Sequence, residues 1–208
     1  MEGLQILFAA PIFSVQLLID GILIGAIFAL AAYGMALVWG VMKIINFAQG
    51  EFVILGGFMA LVFSKAGVSP FFCVPLAALS LYIVGWLLYR TIIFRIVEED
   101  LFISILATFG ISILMQQLMN LIFSADVQTV DSGLGTWFLF NGNVPVLQMK
   151  VVSFASALVL GACLAVFMKK TRLGQTIRAT AQNARAARIL GVETDKVYCT
   201  TFALNAAI

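Results

Sequence analysis

Histidine is absent from this 208-residue chain, and with it goes the side chain that most often acts as a general base or metal ligand near neutral pH. No Ser-His or Cys-His pair can form, and the apolar runs carry no paired carboxylates, so the sequence does not read as an enzyme. The only cysteines are Cys73, Cys163 and Cys199. Each sits alone in an apolar run, a spacing that indicates no zinc site, redox pair or disulfide framework. The pattern Gly-x-x-x-x-Gly-Lys-Ser/Thr occurs nowhere, so no ATP site is expected in this chain, and neither is a cofactor or a metal. Residues 1 to 42 contain no Lys or Arg, and the opening MEGLQILFAAPIF therefore lacks the basic n-region of a cleaved signal peptide. It reads as part of the first membrane segment, or as an interfacial helix with a break near Pro11.

What the chain has in excess is apolar surface. Hydrophobic residues make up 62% and charged residues 11%, with 18 Phe, and the mean hydropathy is +1.09. One soluble core cannot bury that much, which makes a lipid bilayer the expected solvent. Four charge-free runs agree: Gly21 to Met42, Ala66 to Tyr89, Leu101 to Ala125 and Val151 to Met168. Each approaches or exceeds the roughly 20 residues that a spanning helix needs. Ile44 to Ser64 is a fifth candidate, long enough only if Glu51 lies inside the span. The expected fold is all-α, a polytopic bundle with about five complete spans plus a partial sixth, forming a single membrane domain over residues 1–208.

The net charge of +2 is uninformative, but its distribution is not. Following the spans in order places Lys43, Arg90, Arg95, Lys169, Lys170, Arg172, Arg178, Arg185, Arg188 and Lys196 on one side and only Lys65 and Lys150 on the other. By the positive-inside rule the first side is cytoplasmic, so the N-terminus is expected outside. After Lys196 come the uncharged residues VYCTTFALNAAI, which as a helix reach roughly 18 Å into a hydrocarbon core about 30 Å thick. A helix stopped half way leaves carbonyls unsatisfied in lipid. The expectation is a fragment truncated in its last helix, or a sixth helix completed by a partner.

Four places are candidates for function. The first is Asn46-Phe47-Ala48-Gln49-Gly50-Glu51. A carboxylate near the bilayer centre costs roughly 2.5 to 3.5 kcal/mol on insertion scales, so Glu51 should face protein or water. One reading is local: Asn46 as N-cap with Gln49 as its capping-box partner, and Glu51 at the positive helix end. The other is a broken helix whose polar groups line a conduction path. The second place is the small-residue face Gly21, Gly25 and Ala29, with Gly34 and Gly40 beyond and Gly56 and Gly57 in the next segment, which suits close helix packing. The third is Gln116, Gln117 and Asn120, where Gln116 and Asn120 share a helix face. Interhelical hydrogen bonding and a polar strip near an external vestibule are both open. The loop that follows, SADVQTVDSGLGTWFLFNGNVPVLQ, has turn residues and little charge and suits docking of a soluble partner.

The fourth place is the basic, alanine-rich stretch KKTRLGQTIRATAQNARAARILGVETDK, residues 169–196. Asn183 suits an N-cap and Gly191 a C′ residue, bracketing a helix of about two turns that holds Ala184, Ala186 and Ala187. A free helix that short is marginal in water, so something must stabilise it. It either lies on its own bundle or on headgroups, with Arg178, Arg185 and Arg188 toward lipid phosphate, or it is gripped by another protein.

The arrangement Ala186-Ala187, three residues, Gly191 resembles the EAA loop of ABC importer permeases. With it stand Asn46-Phe47-Ala48-Gln49-Gly50-Glu51, Leu106-Ala107-Thr108-Phe109-Gly110, Thr171-Arg172-Leu173-Gly174 and Ala181-Gln182-Asn183. Their order and spacing over about residues 16 to 208 resemble the branched-chain amino acid permease family. The resemblance implies a short coupling helix that inserts into a groove on an ATPase subunit, with Arg178, Asn183, Arg185, Ala186, Ala187, Arg188 and Gly191 as the ATPase-coupling residues. Two departures stand out. Arg185 occupies the position of the loop's Glu, where it opposes the helix macrodipole by a few tenths of a kcal/mol, and full-length members continue through further helices.

The resemblance also implies the mechanism. Partner ATPase subunits bind the ATP and drive alternating access, an extracytoplasmic solute-binding protein delivers the solute, and a second permease, identical or related, completes the pore in the inner membrane. Asn46, Gln49, Glu51, Gln116 and Asn120 are the candidate translocation path for a branched-chain amino acid or a similar small amphipathic solute. Nucleic acid is not among the expected partners. The alternative is a secondary transporter or channel that uses an ion gradient, for which Glu51 is the one candidate coupling acid, since Asp20 lies near the outer end of the first helix.

Overall fold

The computed structural model describes residues 11–124, 135–139 and 144–208. Among the described residues the chain is all-α apart from one small hairpin. Helix α1 runs Pro11–Met42, α2 Gln49–Lys65, α3 Pro70–Thr91, α4 Leu101–Phe123, α5 Gln148–Lys170, α6 Arg172–Gln182, α7 Ala184–Ile189 and α8 Thr194–Ala207, with a 3-10 turn at Ile93–Arg95. Four of these are long and apolar enough to cross a membrane: Ser14–Met42, Phe71–Arg95, Leu101–Phe123 and Gln148–Lys170. They carry large apolar side chains on their outer faces, with Phe28, Leu121 and Ile122 each more than two-thirds exposed, as helices bathed in lipid tails do.

The four charge-free runs read from the sequence therefore fall on four long helices, and the fifth candidate is corrected at its start. Residues 44–48 are not helical; α2 begins at Gln49 and has 17 residues, the lower end of what crosses a hydrocarbon core. The apolar tail after Lys196 does form a helix, α8, of 14 residues. Residues 1–10 lie outside the described residues and α1 is helical from Pro11 on, so the break expected near Pro11 falls at the edge of what is described.

Two compact units are distinguished, residues 1–30 with 131–164, and residues 31–130 with 165–208. In the first, strand β1 (Thr136–Leu139) pairs antiparallel with β2 (Val144–Leu147), with Trp137 opposite Val146 and Phe138 opposite Pro145. Strand alternation turns Val144 and Val146 inward onto Leu23, Ile19, Val151 and Phe154. Trp137 and Phe138 face outward. The turn-rich loop before α5 is thus a hairpin where it is described; residues 125–134 and 140–143 lie outside the described residues. In the same unit Lys150 Nζ meets Asp20 Oδ1 at 2.6 Å, so the acid in the first half of α1 is paired.

The second unit holds the larger core, built on Val38, Phe52, Tyr89, Ile93, Ile111, Met115, Ile177 and Phe202. Phe52 and Phe202 meet edge to face at 6.0 Å. Close helix approach comes from Gly85, where an added Cβ would lie 2.7 Å from Ala206 Cβ and 3.0 Å from Ala203 Cα, which lets α3 and α8 pack backbone to backbone. The small-residue face expected on α1 is corrected in part. A Cβ added at Gly21 or Gly25 would meet nothing within 4 Å, whereas Gly34 is in tight contact.

Candidate functional site

The basic stretch after α5 folds into a hook. Thr171 caps α6, its Oγ1 accepting from Gly174 N–H at 3.0 Å, and Gly174 lies flat on the end of α5, where a Cβ would approach Met168 Cα to 2.6 Å. Along α6 the buried residues Gly174, Ile177 and Thr180 recur every three positions, a helical stripe facing the core, and Arg178 stands exposed. Asn183 breaks the helix in extended backbone, φ −157° and ψ 97°. It starts α7 by accepting Ala186 N–H on Oδ1 at 3.0 Å, the N-cap role its position predicts. At the other end Gly191, at φ 84°, donates to the Arg188 carbonyl at 3.1 Å, while Val192 donates to Ala187 at 3.0 Å. That pair of bonds is a Schellman motif, which needs the left-handed backbone that glycine adopts at little cost.

Only Ala187 of α7 is buried, at 4%; Arg185 and Ala186 face out, and Ile189 and Leu190 at the tip are 81% and 83% exposed. Arg188 turns back onto its own chain. Its Nε donates to Thr194 Oγ1 at 3.0 Å and its Nη2 to Glu98 Oε1 at 2.7 Å. The hydrogen bond and charge of Glu98 hold its guanidinium above the ordinary value.

The second constellation gathers around the turn between α1 and α2. Lys43 follows α1 in left-handed backbone, φ 58°. Asn46, 1% exposed, closes an Asx turn by accepting Ala48 N–H at 3.2 Å and reaches Gln49 Oε1 with Nδ2 at 3.5 Å. It does not cap α2, whose N-cap position is Ala48 without a side-chain bond, so the expected capping box is replaced by a turn that engages the Asn46 oxygen one residue too early. Thr108 Oγ1 lies 2.9 Å from the Ile45 carbonyl, and Phe47 meets Phe109 edge to face. The two motifs at 46–51 and 106–110 are thereby brought together.

From there a polar row climbs α4. Ser104, Thr108, Ser112, Gln116 and Asn120 stand four residues apart. Each step of four advances about 40° beyond a full turn, so the row spirals. Ser104 and Thr108 are buried, Ser112 is half-buried and donates to Glu51 Oε1 at 3.1 Å, and Gln116 and Asn120 are exposed along the C-terminal half of the helix. Glu51 Oε2 is buried with no hydrogen-bond partner among the described residues. On the other side of α2, Asn205 is fully buried with neither amide atom bonded among the described residues. A Cβ placed on Gly34 would lie 2.7 Å from Asn205 Oδ1 and 3.4 Å from Gln49 Nε2, so both amides converge on that glycine.

Asn183, Arg185, Ala186, Ala187, Arg188 and Gly191 thus share one hook, with Arg178 exposed on the preceding helix. Asn46, Gln49 and Glu51 lie together at the start of α2, while Gln116 and Asn120 stand further along α4 with Ser112 as the link. Sequence reasoning missed Ile189 and Leu190, two apolar residues beside a helix-ending Gly. It also missed Ser112, legible as a spacing of four between Thr108 and Gln116, and Asn205, an isolated amide in an apolar run; Thr108 enters it only within the 106–110 motif.

A family model described as "Branched-chain amino acid transport system / permease component" matches residues 17–208. The chain is 26% identical to the high-affinity branched-chain amino acid transport system permease protein LivH of Salmonella typhimurium and 27% identical to that of Escherichia coli K12, in each case over 95% of this chain and 68% of the relative. It is 25% identical to the permease protein BraD of Pseudomonas aeruginosa, over 93% of this chain and 67% of the relative. No solved structure matches.

Proposed function

Because the chain belongs to the family of branched-chain amino acid transport permeases, a multi-pass membrane protein of the transporter class, we propose that it is the membrane-spanning permease subunit of an ABC importer for branched-chain amino acids or similar small amphipathic solutes. Partner ATPase subunits supply the ATP. Residues 169–196 are the coupling loop of a single permease domain, and α7 is the element the ATPase grips. The observation that carries this reading is the hook itself, a helix of six residues fastened at both ends whose tip presents Ile189 and Leu190 to solvent. Two exposed aliphatic side chains beside a basic face suit a groove on a soluble partner better than they suit water. Arg185, exposed at the start of α7, is placed for an acidic rim of that groove.

With the hook on the cytoplasmic side, the N-terminus lies outside, the membrane is the inner membrane, and α2 and α8 serve as further spans, α8 the partial sixth. A second permease and an extracytoplasmic binding protein complete the assembly. The solute path follows Asn46, Gln49, Glu51, Gln116 and Asn120, with Ser112 bridging its two halves: amides exposed on a membrane helix need polar company, and the α4 row gives them continuity with Glu51. A free carboxylate oxygen beside a hydroxyl suits the ammonium group of an amino acid.

The unpartnered Glu51 Oε2 also favours one other reading, a carrier coupled to an ion gradient. Reconstitution with the ATPase and binding protein separates the two. Solute-stimulated ATP hydrolysis together with ATP-dependent uptake is the expected result; uptake that persists without ATP under an ion gradient overturns it.

A further inference from the structure

We propose that Arg188 works inside the chain, as the pivot of a joint that carries displacement of the hook into the α3–α4 connector, with Glu98, Asp195 and Tyr89 as its positioning residues; this rests on reading α7 as the ATPase-coupling element. Of the arginines on α7, Arg185 is exposed and Arg188 is engaged at two points. Its planar fork holds two acceptors in fixed relation. One is Thr194, the buried first residue of α8; the other is Glu98, in the connector ahead of α4. A push on Ile189 and Leu190 is therefore delivered at once to the start of α8 and to the connector.

A second tie runs alongside. Asp195, next to Thr194, accepts from Tyr89 Oη on Oδ1 at 2.7 Å and from Arg90 Nη1 on Oδ2 at 3.3 Å. Tyr89 is fully buried at the end of α3, so its hydroxyl anchors Asp195 to a part of the core that cannot yield independently. Residues 89–98 are thus held at one end through Asp195 and at the other through Arg188, and both ties start from neighbouring positions at the head of α8. The connector and the hook move as linked pieces. Ile93, between the two ties, is fully buried, which keeps the connector seated on the core while its ends are pulled. The Arg188–Glu98 pair is more than half exposed. An exposed pair adds little to folding stability, so its removal registers in transmission and leaves the fold standing.

The test uses the complete transporter, with its ATPase subunits and binding protein, and reads three quantities: ATPase subunits retained on purification, solute-stimulated ATP hydrolysis, and solute moved per ATP. E98R retains the ATPase and lowers solute moved per ATP on the order of threefold, and the reversed pair E98R/R188E recovers at least half of that loss. Y89F, which keeps the ring and removes only the bond to Asp195, lowers the same ratio about two- to fivefold. An unchanged ratio in E98R and Y89F, or a double variant no better than E98R, overturns the joint. Loss of the ATPase in E98R also overturns it, by placing Glu98 on the docking surface. Failure of the parent transporter to retain ATPase is seen before any variant is made and sinks the coupling reading itself.

Discussion

The hook and the cluster around the start of α2 treat their polar atoms in opposite ways. In α7 the orphan amide of the first turn is capped by Asn183, the last carbonyls are closed by Gly191 and Val192, and Arg188 is bonded twice. A helix of six residues has too few internal bonds to persist unaided, so its shape is held locally, by caps and by the burial of Ala187. In the cluster, Glu51 Oε2 and both amide atoms of Asn205 are buried without partners among the described residues, in surroundings where each such group costs about 1–3 kcal/mol. The hook is finished as a shape and exposes what it has to offer. The cluster holds polar groups inside that are unmet among the described residues; on the proposed reading a solute meets them there.

The largest expected effect breaks the first half of that contrast. Ile189→Asp combined with Leu190→Asp should leave unfolding in detergent unchanged, because both side chains are over 80% exposed, while ATPase retention falls about tenfold or more, the size expected when interface anchors are lost. Titrated capture of the ATPase subunit reads this. Equal capture by parent and variant would mean that the tip touches no partner.

Next in size comes Asn205→Leu, which sharpens the second half. Leucine keeps the branched four-atom side-chain shape and removes two polar atoms unmet among the described residues, a gain of about 1–3 kcal/mol. Its bulkier methyl groups crowd Gly34 at a cost of similar size, so stability should change little while uptake falls. Thermal unfolding and uptake measured on the same preparation decide it. A variant that is less stable and transports normally would show that Asn205 is an ordinary packing residue.

What the sequence makes legible divides along the same line. The four long spans are plain from charge-free length, because lipid forces every backbone bond to be satisfied within a helix. The ends of α7 are plain too, since Asn and Gly act through their immediate neighbours. The start of α2 is misplaced because Asn46 has two local options, a cap or an Asx turn, and nothing in its neighbouring residues chooses between them; the Ile45 carbonyl lies 2.9 Å from Thr108 Oγ1 on α4, a contact no local pattern shows. Arg188 is a partner contact only by resemblance, and its pairing with Glu98, 90 residues away in sequence, is one that no local pattern shows. Asn205 is invisible for the same reason: its significance lies in Gly34 and Gln49, which no local pattern connects to it. The hairpin escapes because Trp137-Phe138-Leu139 and Val144-Pro145-Val146 are short and sit among turn residues.

Asn183→Ala tests the hook's local fastening. Loss of the cap should cost about 1 kcal/mol, seen as faster hydrogen exchange at the Ala186 amide and weaker solute-stimulated ATP hydrolysis, with Asn183→Asp restoring both. If exchange accelerates while ATP hydrolysis is unmoved, the hook's shape does not matter to its partner.

The smallest effect on the fold is also the most diagnostic. Arg185 sits at the second position of α7, where a cation opposes the helix dipole, so Arg185→Glu should stabilise the helix end by a few tenths of a kcal/mol. Were the hook free in water or resting on its own bundle, that gain would be the whole story, and transport would be unchanged or slightly improved. If instead Arg185 meets an acidic rim on the ATPase, the reversal places like charges together, and coupling weakens although the helix is better formed. Amide exchange across α7 should then slow while solute-stimulated ATP hydrolysis falls. Transport equal to the parent's would remove Arg185 from the contact and leave Ile189 and Leu190 to carry the docking alone.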